Sequence, residues 1–219
     1  MIDATHSIGV KIASELLRIG AVSLSPSKPF TWASGRLSPV YCDNRLSLGY
    51  PAVRELIAKG FEAVIASNTI SCDLVVGTAT AGIPHAAWLA GNLNLPMAYV
   101  RSAPKGHGKG NQIEGLAKPG SKAVVIEDLV STGMSSTAVL EPLNNAGVEV
   151  QAVLAIFTYG MKAATEAFEK AGVDLYTLSD FPTLLKEAGR QQLLAEKDLI
   201  SLSAWYQDPE KWSTERGGA

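Results

Sequence analysis

The strongest constraint on the fold of this chain is a regular alternation of short apolar segments with segments of helical periodicity. The strand-like segments lie at residues 74–76, 97–100, 123–126, 150–157 and 174–178, and the one at 123–126 is short, apolar and β-branched, as buried strands are. Helical spacing occurs at residues 7–19, after Pro51, and between the later strands. This alternation predicts an α/β domain with a doubly wound, mostly parallel sheet that binds ligands at the carboxyl ends of its strands.

The strand predicted at 123–126 is followed by two acids and a turn of small, hydroxyl-bearing residues. In order these are Glu127, Asp128, Leu129, Val130, Ser131, Thr132, Gly133, Met134 and Ser135. We call residues 131–135 the hydroxyl turn; a helix is predicted after it, over residues 134–146. Backbone N–H groups at a helix start bind phosphate, and carboxylates accept hydrogen bonds from sugar hydroxyls. The pattern predicts a ribose-phosphate site, against the alternative of an ordinary strand–turn–helix unit with a capping Asp.

A second group of residues lies just upstream, in a predicted loop over residues 101–115. Its positive or titratable side chains are Arg101, Lys105, His107 and Lys109, and four glycines make the segment flexible in this prediction. In a chain of net charge −2, this concentration of cations suggests a lid over an anionic ligand. The alternative is a solvated surface loop.

Four segments together resemble those of type I phosphoribosyltransferases, and orotate phosphoribosyltransferases in particular. Residues 124–136 resemble the family's motif for phosphoribosyl diphosphate (PRPP), and the order Arg101, Lys105, His107 resembles its catalytic loop. Residues 30–43 resemble the N-terminal segment that covers the base, F-T-x-x-S-G-x-x-S-P-x-Y, which we call the hood. Residues 75–84 resemble the loop that lies against pyrophosphate.

The resemblance implies the type I phosphoribosyltransferase fold in one domain over residues 1–219. Its expected parts are an N-terminal helix and hood (1–45), an α/β core (50–200) and a tail (201–219), of which the last residues, 214–219, are expected to be frayed. The implied reaction transfers the phosphoribosyl group of PRPP to orotate, giving orotidine 5'-phosphate and pyrophosphate, as in UMP biosynthesis. The implied cofactor is Mg²⁺, held mainly by substrate and water rather than by protein ligands. A homodimer is also implied, in which the loop 101–115 reaches the partner's site.

The resemblance also assigns roles to individual residues. The expected catalytic residues are Arg101, Lys105, His107 and Asp128. Residues 127–135 are expected to bind PRPP, with Glu127 and Asp128 on the ribose hydroxyls. Orotate is expected to contact Ser131, Ser34 and Arg36.

The chain departs from better-known members of the family at four positions. Ala33, Ala81 and Ser102 stand where those members carry Lys, and Tyr159 follows a strand where an Asp-Arg pair is frequent. The partner of the orotate carboxylate is therefore left open between Arg36 and backbone N–H groups of the hood. Two other functions also stay open: transfer to another nucleobase, and a non-catalytic PRPP-sensing regulator.

The composition of the chain argues against several other classes of protein. A net charge of −2 with no basic tract argues against nucleic acid as a partner. No apolar run reaches the roughly 18 residues of a membrane span, and no signal sequence is recognised. Cys42 and Cys72 form no C-x-x-C pair, which favours reduced thiols in a cytoplasmic protein.

Overall fold

A computed structural model of the chain describes residues 4–32, 34–102 and 112–219. Its strands are β1 (Val22–Leu24), β2 (Phe30–Thr31), β3 (Leu37–Ser38), β4 (Val40–Cys42), β5 (Leu74–Thr78), β6 (Met97–Val100), β7 (Ile113–Gly115), β8 (Lys122–Val130), β9 (Glu149–Thr158) and β10 (Leu175–Asp180). Its helices are α1 (Ala4–Arg18), α2 (Pro51–Ser67), α3 (Gly82–Leu93), α4 (Met134–Ala138), α5 (Leu140–Asn145), α6 (Lys162–Ala171), α7 (Phe181–Arg190), α8 (Glu196–Gln207) and α9 (Pro209–Thr214), with a 3-10 helix at Asn44–Gly49.

The centre of the fold is a six-stranded sheet in the order β10-β9-β8-β5-β6-β7. All neighbours are parallel except β7, which pairs with β6 in the antiparallel direction at one edge. Alternate residues of β8 enter different cores: Val124 and Ile126 pack with α1, α2 and α3, while Val125 packs with α5 and α6. Helices therefore cover both faces, and the predicted doubly wound, mostly parallel sheet is confirmed.

Two elements at the centre differ from the sequence prediction. Strand β8 runs from Lys122 to Val130 instead of ending at residue 126, because its pairing with β9 continues to Val130 opposite Thr158. Glu127 and Asp128 therefore belong to the strand. The single helix predicted over 134–146 is two short helices, α4 and α5, interrupted at Val139. Pro142 has no N–H to donate to the carbonyl of Ala138, which removes one hydrogen bond at that point.

The hood consists of very short strands held by the tail. β2 and β3 pair over two residues each, and β4 pairs with β1. The expectation of frayed residues at 214–219 is wrong, because the Ala219 N–H donates to the Gly35 carbonyl (3.2 Å). Ser213, fully buried, accepts from the Leu37 N–H and donates to the Ala219 carbonyl (2.9 and 2.8 Å). The end of the chain is thus part of the hood's support.

Among the described helices, none is long and apolar enough to cross a membrane.

Candidate active site

A cavity of about 620 Å³ opens at the carboxyl ends of β5, β6 and β8. Four segments line it: the end of β8 with the hydroxyl turn, the loop 79–81 after β5, residues 100–102 after β6, and residues 42–45 after the hood strand β4. This is the location that the strand order predicts, since the carboxyl ends of neighbouring parallel strands meet at one edge of a sheet.

Glu127 reaches the cavity wall, but protein groups already bind its carboxylate. Its Oε1 accepts hydrogen bonds from the Thr78 hydroxyl (2.8 Å) and the Asp128 N–H (3.1 Å), and its Oε2 accepts one from the Ser136 hydroxyl (3.1 Å). The residue is 8% exposed. Burial, and then the charge of Asp128, raise the pKa of Glu127 to about 7.

Asp128 lines the same cavity and is more exposed than Glu127. Its backbone carbonyl accepts a hydrogen bond from the Asn44 amide (2.5 Å), which ties the end of β8 to the segment after the hood. Burial raises the pKa of the Asp128 carboxyl. Of the two predicted acids, Asp128 is therefore the better placed to accept hydrogen bonds from a ligand's hydroxyl groups.

The hydroxyl turn contributes Ser131, Thr132 and Ser135 to the cavity wall. Gly133 has a φ of +80°, which favours glycine, and a Cβ there would also crowd the Ala167 side chain of α6 at 3.2 Å. The N–H groups of residues 131–133 donate no hydrogen bond to any described residue, which leaves them available to an anion. Of the remaining residues in the predicted PRPP segment, Leu129 lines the cavity, Val130 is fully buried and Met134 is 73% exposed outside it.

Arg101, directly after β6, also lines the cavity. Its Nη1 lies 3.7 Å from Glu114 Oε1, and its N–H donates to the Gln112 carbonyl (2.9 Å). Lys105, His107 and Lys109 lie outside the described residues. The structure thus brings Arg101, Asp128 and the hydroxyl turn together around one cavity.

The residues predicted to contact orotate do not all meet there. Ser131 lines the cavity, while Ser34 and Arg36 are absent from its wall. Arg36 instead pairs with Glu210 of α9, at 3.3 Å. Tyr159 is buried against Trp32 and Trp205, and burial raises the pKa of its phenol.

Sequence reasoning missed Arg45, and it assigned Cys42 and Asp43 to the hood but not to this cavity. All three line the wall at the end of β4 and just after it. Arg45 donates from Nε and Nη2 to the two carboxylate oxygens of Asp43, at 2.6 and 2.8 Å. That hydrogen-bonded guanidinium lowers the pKa of Asp43. The signal in the sequence was an Asp-x-Arg at the end of the hood motif.

His85 is buried, with its Nε2 3.3 Å from the Ser47 hydroxyl, and burial lowers its pKa to about 4. It packs against Trp88 in an edge-to-face contact. His85 is therefore a packed core residue.

Comparisons with known proteins give a consistent result. The family model "Phosphoribosyl transferase domain" matches residues 47–177. An orotate phosphoribosyltransferase of Bacillus caldolyticus is 53% identical over 203 residues, 93% of this chain and 98% of the relative. The crystal structure of orotate phosphoribosyltransferase from Aeropyrum pernix is similar, with a TM-score of 0.72 and 33% identity over 82% of this chain and 98% of that one. The structure of Leishmania donovani UMP synthase has a TM-score of 0.78 and 28% identity over 91% of this chain and 42% of that one.

Proposed function

This chain belongs to the orotate phosphoribosyltransferase family, and we propose that it transfers the 5-phosphoribosyl group of PRPP to orotate, giving orotidine 5'-phosphate and pyrophosphate. The observation that carries the proposal is the single cavity shared by Asp128, the hydroxyl turn and Arg101. These groups match, in order, the sugar hydroxyls, the 5-phosphate and the diphosphate of PRPP.

Each end of PRPP has a matching part of the cavity. The N–H groups at 131–133, which donate to no described residue, and the hydroxyls of Ser131, Thr132 and Ser135 suit a phosphate with several acceptor oxygens. The carboxylate of Asp128 suits the vicinal ribose hydroxyls, which are donors. Glu127 supports this arrangement from behind, since its oxygens accept hydrogen bonds from Thr78 and Ser136.

The reaction is a substitution at C1 of the ribose. The ring nitrogen of orotate forms a bond to C1 and loses its proton to solvent, while the C1–O bond breaks and its electron pair leaves with pyrophosphate. Such centres react through transition states with oxocarbenium character. Negative charge grows on pyrophosphate, so Arg101, Lys105 and His107 are the residues that we propose stabilise it. No protein nucleophile is required.

Mg²⁺ is the proposed cofactor. In the described part of the chain, no group of three His, Cys, Asp or Glu side chains could hold a metal ion. The cavity's carboxylates and hydroxyls are hard oxygen donors, which fit Mg²⁺ bound mostly by substrate phosphates and water. Bound there, Mg²⁺ neutralises charge on the diphosphate.

The function is tested by following the absorbance of orotate with PRPP and Mg²⁺, and with each omitted in turn. We expect orotate to be consumed only when both are present. Consumption of uracil, hypoxanthine or adenine instead would show that the base is wrong, while PRPP binding without turnover of any base would indicate a regulator.

Lys105 gives the first mutational prediction. Lys105→Ala should lower kcat by roughly 100-fold, because it removes a cation from the leaving group, and should leave the melting temperature unchanged. The matched control is Lys118→Ala, an exposed lysine outside the cavity wall. An unchanged kcat in Lys105→Ala would remove the lid residues from the mechanism.

We also propose a homodimer in which the loop 101–115 serves the partner's site. Lys105→Ala and Asp128→Asn are each expected to lose roughly 100-fold in activity, and co-expressing them under two affinity tags isolates mixed dimers. In a mixed dimer one site carries both changes and the other carries neither, so about half of the wild-type activity should return. Mixed dimers without activity would place the loop over its own subunit's site.

A further inference from the structure

Orotate differs from uracil by a carboxylate, and its recognition requires a positive or strongly donating group in the cavity. Of the described residues that line the cavity, two are positively charged, Arg45 and Arg101. Ala81 and Ser102 offer no charge there. Arg101 adjoins the loop proposed for pyrophosphate, which leaves Arg45 for the base.

Arg36, the side chain first considered for the carboxylate, is occupied elsewhere, and so is Tyr159, which stands where the family's Asp-Arg pair is frequent. Arg36 pairs with Glu210 of α9 and is absent from the cavity wall. Tyr159 is only 4% exposed and packs among the rings of Trp32, Phe157 and Trp205. We propose that Arg45 binds the carboxylate of the base and thereby selects orotate over uracil; this inference rests on the proposed function.

The local fold holds Arg45 in a defined orientation. Asp43 caps the 3-10 helix Asn44–Gly49, with its side chain accepting from the Arg45 N–H at 3.2 Å. The same carboxylate then binds Nε and Nη2 of the Arg45 side chain in a two-point contact. One residue therefore fixes both the backbone and the guanidinium of Arg45.

The geometry of that contact leaves a second edge of the guanidinium for a ligand. A guanidinium has five N–H donors in one plane, and Asp43 uses the edge formed by Nε and Nη2. The edge formed by Nη1 and the second N–H of Nη2 can accept another carboxylate in the same two-point way. Arg45 can therefore bridge Asp43 and a planar carboxylate.

Arg45 also lines the cavity that would hold the reacting carbon of the proposed function. Asp128 lines the same cavity, and the amide of Asn44, the residue before Arg45, donates to the Asp128 carbonyl. If Asp128 holds the ribose hydroxyls, a base bonded to C1 of that ribose lies near Arg45. The Arg45 side chain is 64% exposed, so its free edge is accessible to a ligand.

The test compares two nucleotides that differ only in this carboxylate, orotidine 5'-phosphate and UMP. We expect the wild-type protein to bind orotidine 5'-phosphate more tightly, and Arg45→Gln to weaken that binding by roughly 10- to 100-fold while leaving UMP within about threefold. In kinetics, Arg45→Gln should raise KM for orotate by a similar factor and leave KM for PRPP nearly unchanged.

Three further variants sharpen the result. Arg45→Lys keeps the charge without the planar donor pair and should recover only part of the preference. Asp43→Asn should shift the preference in the same direction by a smaller factor, because Asp43 positions Arg45. Arg18→Gln is the matched control, since Arg18 forms a comparable exposed pair with Glu15 (2.6 Å) away from the cavity.

The outcomes separate this inference from the proposed function. If the wild-type protein consumes orotate but Arg45→Gln keeps the full preference for orotidine 5'-phosphate, Arg45 is not the carboxylate's partner and the function stands. The inference is also overturned if Arg36→Gln abolishes the preference, or if Arg45→Gln raises KM for PRPP as much as for orotate. If the wild-type protein consumes no orotate, both statements fail together.

Discussion

The hydroxyl turn and the hood both contribute residues to the wall of one cavity, and they are supported in different ways. The turn follows β8, which is buried between β5 and β9, and the acid that precedes it is bound by Thr78 of β5 and Ser136 of α4. The hood has strands of two or three residues, and its Leu37 N–H donates to Ser213, 176 positions later in the chain. The hydroxyl turn is therefore stabilised by the core of the sheet, and the hood is stabilised by the C-terminal tail.

This difference suggests a division of labour. A cradle for phosphate and ribose gains from rigidity, because donors held in place before binding lose little entropy on binding. A segment that covers the base has to admit and release it. The hood strands are short and are held by few hydrogen bonds. Local unfolding of such a segment costs little free energy.

The largest expected loss of activity comes from a substitution next to the hydroxyl turn. Asp128→Asn should lower kcat/KM by roughly 100-fold or more, because a charged acceptor for the ribose hydroxyls is lost where positive charge develops on the sugar. Stability should not fall, since burial disfavours the ionised carboxyl at this position. Asp174→Asn, an exposed acid outside the cavity, is the control. Activity within threefold of wild type would exclude Asp128 from substrate binding.

Sequence reasoning succeeded where the information was local. The acids, the hydroxyls and the glycine of the turn occupy nine consecutive positions, 127–135, so their meeting at one strand end required only the strand to be recognised. Gly133 could be assigned to the turn from its type alone, and its close approach to α6 gives the physical reason.

Sequence reasoning failed where the deciding contact is distant along the chain. Nothing near Arg36 shows that Glu210 pairs with it, and nothing near Leu37 shows that Ser213 is its acceptor. Arg45 was overlooked because its partner Asp43 belongs to the hood motif, whereas the cavity that both line is formed by β5, β6 and β8. A local pattern cannot show which side of a cavity a distant strand will supply.

The support of the hydroxyl turn by Glu127 can be tested through the pH dependence of the protein's stability. Its pKa rises from an ordinary 4.5 to about 7 on folding, so the native state binds the proton more tightly than the unfolded state does. Its favourable contribution to stability is complete below pH 4.5 and is lost as pH rises towards 7, by at most about 3 kcal/mol.

Glu127→Gln should therefore gain stability relative to wild type between pH 5 and pH 8, measured as the free energy of unfolding in urea. Glu141→Gln, at an exposed position on α5, should show no such gain. Parallel pH profiles for Glu127→Gln and wild type would mean that Glu127 is ionised at both pH values.

Asn44 connects the two regions, since its amide donates to the Asp128 carbonyl from directly after the hood. Asn44 is fully buried, so Asn44→Ala should cost about 1–3 kcal/mol in unfolding free energy and lower kcat several-fold more than it raises KM. Asn92→Ala removes an exposed amide bonded to Glu62 and is the control. A loss of stability with kcat preserved would show that Asn44 supports the fold without positioning Asp128.

The smallest effect is expected on the hood side. Ser213→Ala leaves the Leu37 N–H and the Ala219 carbonyl without their partner, at a cost of about 1–2 kcal/mol. In a chain of this length that lowers the melting temperature by roughly 2–8 °C. Because the hood is expected to cover the base, KM for orotate should rise a few-fold while KM for PRPP stays constant. Ser203→Ala on the exposed side of α8 controls for the loss of a hydroxyl. Equal changes in KM for orotate and KM for PRPP would show that the tail supports the hydroxyl turn as well as the hood. The proposed difference in support between these two regions would then be wrong.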